Sequence, residues 1–200
     1  GTESELNGCI NDVKAVREML IKNGYDGSPE HMRVLVDDGH HEKPIKKNIL
    51  EGMKWLHEGA QANDSLFMLY SGHGSYQPDQ NGDEQDGQDE TLVPADYKLR
   101  GMITDDILLK ELVLRVPKDC SLVCFFDCCH SGTILDLPYL VSVSSTFDPS
   151  RGLEENPGFS FKTILEAGKK LIEESGDTLS GGLANIKEFI EGFRNVVPAM

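Results

Sequence analysis

Along the first 130 residues, stretches with apolar residues at helical spacing alternate with short unbroken apolar runs. Val13, Val16, Met19 and Leu20 define one face of a helix over residues 12–23, and Gly24 sits where a left-handed cap ends it. Val34, Leu35 and Val36 form a continuous run, which predicts a short strand over 33–37 buried on both faces. Pro44 opens a second helix, where its missing N–H costs nothing, and Ile45, Ile49, Met53 and Leu56 carry its inward stripe to Gly59. Residues 65–70 and 121–126 are two further apolar runs of strand length. Between them Thr104 is placed to cap a helix bearing Ile107, Leu108, Leu112 and Val113, with Asp105 and Asp106 where the helix dipole favours negative charge. Strands alternating with helices predict a parallel sheet with helices on its faces, an α/β protein.

The intervening stretch from Gly72 to Glu90 is too polar for a core and reads as a long functional loop. Beyond residue 140 the pattern changes to a connector containing Ser, Gly and Pro, followed by two amphipathic stretches. Ile164, Leu165, Leu171 and Ile172 face one way in the first, and Leu183, Ile186, Phe189, Ile190 and Phe193 in the second. The expected organisation is a catalytic core over 1–140, a connector over 141–160 and a helical segment over 161–200.

Composition narrows the partners. The 200 residues are 38% apolar and 26% charged, enough for one buried core. A net charge of −15 repels a phosphate backbone, so nucleic acid and anionic membrane are poor partners, while cations and basic peptides are good ones. No apolar run approaches the ~18 residues of a membrane span. Four of the five cysteines, Cys120, Cys124, Cys128 and Cys129, fall within ten residues of each other and Cys9 stands apart, a poor layout for disulfides. A reducing, cytoplasmic setting is expected, and the first residues lack the charged-then-apolar form of a signal peptide.

In open α/β sheets, ligands bind beyond the carboxyl ends of the strands. Ser71-Gly72-His73-Gly74 follows one predicted strand there, and Asp127-Cys128-Cys129-His130-Ser131-Gly132 follows another. A thiol nucleophile needs a neighbouring imidazole, and a histidine between glycines is free to supply it, so His73 and Cys129 form a candidate catalytic pair. The N–H groups of Gly74 and Cys129 are candidate donors of an oxyanion hole. Taken singly, such a cysteine is more often a small buried hydrophobe and such a histidine a plain core or surface residue. Zinc on Cys124, Cys128, Cys129 and His130 is disfavoured, because strand alternation turns Cys129 away from the first two. Asp79, Asn81, Asp83 and Glu90 nearly match an EF-hand loop, but Glu84 replaces its turn glycine and no helix pair flanks it.

Together, residues 70–74, 126–133 and 137–139 resemble the large catalytic subunit of type I metacaspases, cysteine peptidases of the caspase fold. Segments 8–13, 63–67, 82–87, 93–96 and 103–106 extend the resemblance in order, over about residues 5–140. It implies Cys129 as nucleophile and His73 as base, with Cys128 standing where many relatives have serine. It implies cleavage after Arg or Lys in protein and peptide substrates, through a pocket of Asp12, Ser71 and Asp127, although on pattern alone the two aspartates are equally readable as caps. It further implies activation by calcium at Asp89, Asp105, Asp106 and Asp136, a zymogen, no organic cofactor and a monomer. Set against the family pattern, no apolar strand precedes Leu6, so a gap is expected between 33–37 and 65–70. Small-subunit strands are absent except for a possible start at 195–197. Arg151 and Lys162 are candidate self-processing sites. The rival reading is a non-catalytic, caspase-like calcium-binding or scaffold module.

Overall fold

The computed structural model describes residues 5–80 and 87–137, and the backbone of 139–140 and 154–155. The helical segment over 161–194, the strand start at 195–197, Arg151, Lys162 and the EF-hand-like Asn81, Asp83 and Glu84 lie outside the described residues.

Helix α1 (Cys9–Lys22) and helix α2 (Lys46–His57) form where the apolar spacing places them. The first amide of α2 is capped from a distance, Lys46 N donating to Asp96 Oδ1 at 2.8 Å, which replaces the side-chain cap that Ile45 cannot provide. Strand β1 (Ser65–Ser71) and strand β5 (Ser121–Asp127) pair in parallel, from Ser65 opposite Ser121 to Ser71 opposite Asp127. Between them come β2 (Gly74–Pro78), β3 (Gln88–Leu92), the short helix α3 (Tyr97–Arg100), β4 (Ile103–Thr104), α4 (Asp105–Glu111) and one 3-10 turn. Thr104 caps α4 as expected, its Oγ1 accepting from Ile107 N at 3.4 Å. Two-residue strands β6 (Tyr139–Leu140) and β7 (Glu154–Glu155) pair antiparallel.

The core lies between α2, α4 and one face of the β1–β5 pair. Ile49, Met53, Leu92, Ile103, Leu108, Leu112 and Ile134 are buried, with Met68, Tyr70, Leu122, Cys124, Phe126 and Cys128 packed against them. Each fully buried aliphatic side chain contributes about 2 kcal/mol to stability. Alternation along β5 turns Leu122, Cys124 and Phe126 inward and Val123, Phe125 and Asp127 outward. On the outward face Phe67 stacks on Phe125 at 5.7 Å and α1 packs along β1.

Two expectations are corrected. Residues 33–37 do not form a strand; they make a single bridge, Leu35 to Glu42, with Val36 N donating to Glu42 O at 2.9 Å. An extended segment becomes a strand only with a partner to complete its ladder, and among the described residues β1 pairs with β5 alone. The space between β1 and this segment is a cavity of about 1190 Å³, lined by Val34, Leu35, Leu66, Met68, Val13 and Val16 among others. Among the described residues no strand fills this space between 33–37 and β1. The second correction concerns the polar stretch over 72–90, whose two ends are an antiparallel hairpin of β2 and β3 rather than loop. Asp89 and Thr91 are buried on one of its faces and Leu92 on the other, so a mostly polar ribbon still packs.

Candidate active site

Parallel pairing of β1 and β5 fixes where the two chemical segments emerge. Ser71 and Asp127, the last residues of the strands, are register partners, and Gly72 N donates to Asp127 O at 3.2 Å just beyond them. From the first turn of α1, Asp12 reaches the same place, its Oδ2 accepting from Ser71 Oγ at 2.8 Å. Asp12 makes no capping bond; Gly8 occupies the N-cap position of α1. The structure thus gathers Asp12, Ser71 and Asp127 at one end of the sheet, the first half-buried and the last open to solvent.

One turn further, Tyr70 fixes the histidine segment. Its hydroxyl donates to His73 O at 2.8 Å, while Val93 N reaches both Tyr70 Oη at 3.2 Å and His73 O at 3.1 Å. Burial pushes the Tyr70 phenol up to about 12, so it stays a neutral donor at physiological pH. His73 itself is exposed.

Gly74 then closes onto the cysteine segment. A Cβ at Gly74 would stand 1.8 Å from the carbonyl oxygen of Cys129 and 3.3 Å from Cys128 Sγ, so only a glycine lets the two backbones meet. His73 is one residue away from this contact, and Cys129 is exposed beside it. The two cysteines differ in character. Cys128 points into the half-buried layer, where burial and the nearby Cys129 and Asp127 push its thiol up to about 11, making it a poor nucleophile.

An accessible thiol and a histidine segment joined backbone to backbone at adjacent parallel strand tips is a peptidase-like arrangement, and comparison with known proteins decides the family. The family model for the metacaspase, peptidase C14 domain, matches residues 2–138. The chain belongs to the metacaspase family. It corresponds to the type I large-subunit region, with the caspase-like α/β architecture, and the family is one of cysteine peptidases. Metacaspase-1 of Cryptococcus neoformans is 40% identical over 194 residues, covering 96% of this chain and 40% of the relative. Metacaspase-1 of Schizosaccharomyces pombe is 39% identical over 200 residues, covering 97% of this chain and 45% of the relative. That of Eremothecium gossypii is 48% identical over 143 residues, 70% of this chain and 31% of the relative. This chain therefore spans less than half the length of these curated relatives. A crystal structure of a Geobacter sulfurreducens protein is 26% identical with a TM-score of 0.51, covering 66% of this chain and 45% of that one.

The four aspartates expected to bind calcium are partly brought together in this metacaspase. Asp105 is 2% exposed; burial, then the charge of Asp136, raise its carboxyl well above the ordinary carboxylate range. Its oxygens accept from Glu90 N at 2.6 Å and Asp106 N at 2.8 Å. Asp89 is buried on β3, with Gln77 Nε2 donating to its Oδ2 at 3.3 Å. Among the described residues no three acidic, histidine or cysteine side chains are already gathered at metal-ligand spacing. The donor set nevertheless suits a hard cation. It is all carboxylate, two members repel each other in a buried place, and the adjacent Glu90 Oε2 is buried with no hydrogen-bond partner among the described residues. Tyr70 stands in the sequence only as part of a motif, and Glu90 only as the last position of the rejected EF-hand-like loop; the partners that give Glu90 its place here come from residues 105 and 133.

Proposed function

We propose that this chain carries the catalytic half of a cysteine endopeptidase that cleaves after Arg or Lys and is activated by calcium. The observation that supports it is the meeting of Gly74 with the Cys129 carbonyl, a backbone contact one residue from His73 and at the residue that bears an exposed thiol. In this reading the Cys129 thiolate attacks the scissile carbonyl, with the N–H groups of Gly74 and Cys129 serving the developing oxyanion. Protonated His73 gives its proton to the leaving amine, and the acyl-enzyme is then hydrolysed by a water from which His73 takes a proton. Asp12 and Asp127, joined through Ser71, suit a guanidinium or ammonium side chain and repel a carboxylate.

Asp89, Asp105, Asp106 and Asp136 would hold calcium, which when bound supplies positive charge to a carboxylate group that repels itself. No organic cofactor enters the scheme. The accessible Cys129 thiol suits a reducing, cytoplasmic setting, and the protein is taken to act as a monomer.

The test is labelling with an irreversible arginyl electrophile, read by intact mass and peptide mapping. One adduct on Cys129, formed with calcium and lost in Cys129→Ala, is expected. A chain that takes up no label with calcium is instead the scaffold module.

A further inference from the structure

The loop after the nucleophile, residues 129–136, carries Cys129 at one end and Asp136 at the other. Hairpin side chains hold it between these points. Tyr76 and Glu90 are cross-strand partners of β2 and β3 and so share a face of the hairpin. Tyr76 meets the His130 ring edge-on at 5.1 Å, and Glu90 Oε1 accepts from Thr133 Oγ1 at 2.6 Å. His130 sits at φ +55°, in the left-handed region that few non-glycine residues occupy. Thr133 O in turn accepts from Asp136 N at 2.7 Å, and Ile134 between them is 2% exposed in the core. On its other side Glu90 donates its backbone N–H to Asp105 Oδ2 at 2.6 Å.

Glu90 therefore touches both the carboxylate group and the nucleophile loop. We infer that Glu90 is a positioning residue, and that the Glu90–Thr133 hydrogen bond passes cation binding at Asp105 and Asp136 to the loop that presents Cys129. The inference rests on the calcium reading above. A cation that draws Asp136 towards Asp105 pulls on the Thr133 turn directly, and Glu90 fixes that turn against the hairpin so that the movement is delivered to residues 129–130 rather than absorbed in between. Without the link, the aspartates still bind and the nucleophile does not respond.

The experiment compares wild type, Thr133→Val, Thr133→Ser and Glu90→Gln, with calcium as the probe. Calcium affinity is measured by isothermal titration calorimetry, and the response by the rate at which iodoacetamide alkylates Cys129 with and without calcium, read by peptide mapping. Thr133→Val is expected to hold calcium within roughly threefold of wild type yet lose about tenfold of the calcium-induced change in alkylation rate, a coupling of ordinary allosteric size. Thr133→Ser keeps the hydroxyl and should restore the response, which guards against a folding defect in the valine variant. Glu90→Gln keeps an acceptor oxygen for the Thr133 hydroxyl and should retain more of the response than Thr133→Val. A wild-type response in Thr133→Val overturns the coupling while leaving calcium activation standing. A wild type that binds no calcium overturns the activation reading and the coupling with it.

Discussion

Gly74 and Cys129 touch through their backbones so closely that a methyl group on Gly74 would overlap the Cys129 carbonyl oxygen, at 1.8 Å. Backbone cannot yield as a side-chain tip can, so Gly74→Ala must part the two segments. The expected result is a loss of about 100-fold in kcat/KM on an arginyl peptide, the cost of displacing reacting groups by about an ångström. At Gly72 the added atom would meet the Tyr70 side chain, its hydroxyl at 2.9 Å and its ring from 3.0 Å, rather than backbone, and Gly72→Ala should lose less. Steady-state kinetics on both variants, with thermal unfolding as a check of folding, decides the matter; equal kinetics for Gly74→Ala and wild type would remove the contact from the site.

The two neighbouring thiols give a second prediction. Cys128 is held up to about 11 by burial and by the charges of Cys129 and Asp127. At pH 7.5 only about one molecule in a few thousand carries its thiolate. Mild alkylation at that pH should modify Cys129 and spare Cys128, and Cys128→Ala should keep most activity while Cys129→Ala abolishes it. Equal loss in both variants would overturn the assignment of the nucleophile.

What the sequence could and could not reveal follows from the range of each interaction. β1 and β5 were legible because an unbroken apolar run of strand length is a local signal, even though Val123 and Phe125 on the outward face of β5 stay exposed, and their common direction followed from the alternation with helices. Val34, Leu35 and Val36 show the same local signal, yet they make one bridge, since a strand is completed by a partner and not by its own composition. The β2–β3 hairpin was hidden for the opposite reason: its residues are polar, and its packing falls on Asp89, Thr91 and Leu92. The site residues lie where strand ends predict them, but the Ser71–Asp12 bond and the Gly74–Cys129 contact join segments more than fifty residues apart, and no spacing rule encodes those.

Asp12 and Asp127 give a third prediction. Asp12→Asn removes one negative charge while leaving an oxygen for Ser71, so its effect reports the charge rather than the packing. Against an arginyl peptide it should lower kcat/KM about 10- to 100-fold, chiefly through KM, because a charge-assisted contact to the substrate is lost in ground and transition state alike. Asp127→Asn should act in the same direction, and Ser71→Ala more weakly. Kinetics on matched arginyl and citrullyl peptides checks this. If Asp12→Asn neither raised KM nor narrowed the preference for arginine, the acidic pocket would lie elsewhere.

The last prediction concerns stability and lies at the far end of α2. His57 ends that helix, where the dipole alone would favour its protonated form. Burial and the Arg115 guanidinium outweigh this, and its pKa is lowered below the ordinary value of 6.5 despite the opposing pull of the Glu111 carbonyl. The unfolded chain then binds the proton more readily than the folded one, so the stability contributed by neutral His57 is present in full above pH 6.5 and is lost as the pH falls through the folded value. Other groups titrate over the same range, and the comparison is therefore wild type against His57→Gln, whose side chain cannot charge. The melting temperature of wild type relative to His57→Gln should drop as the pH goes from 7.5 to 5.5. Parallel curves would show that His57 takes up its proton equally in both states, and that neither burial nor Arg115 governs it.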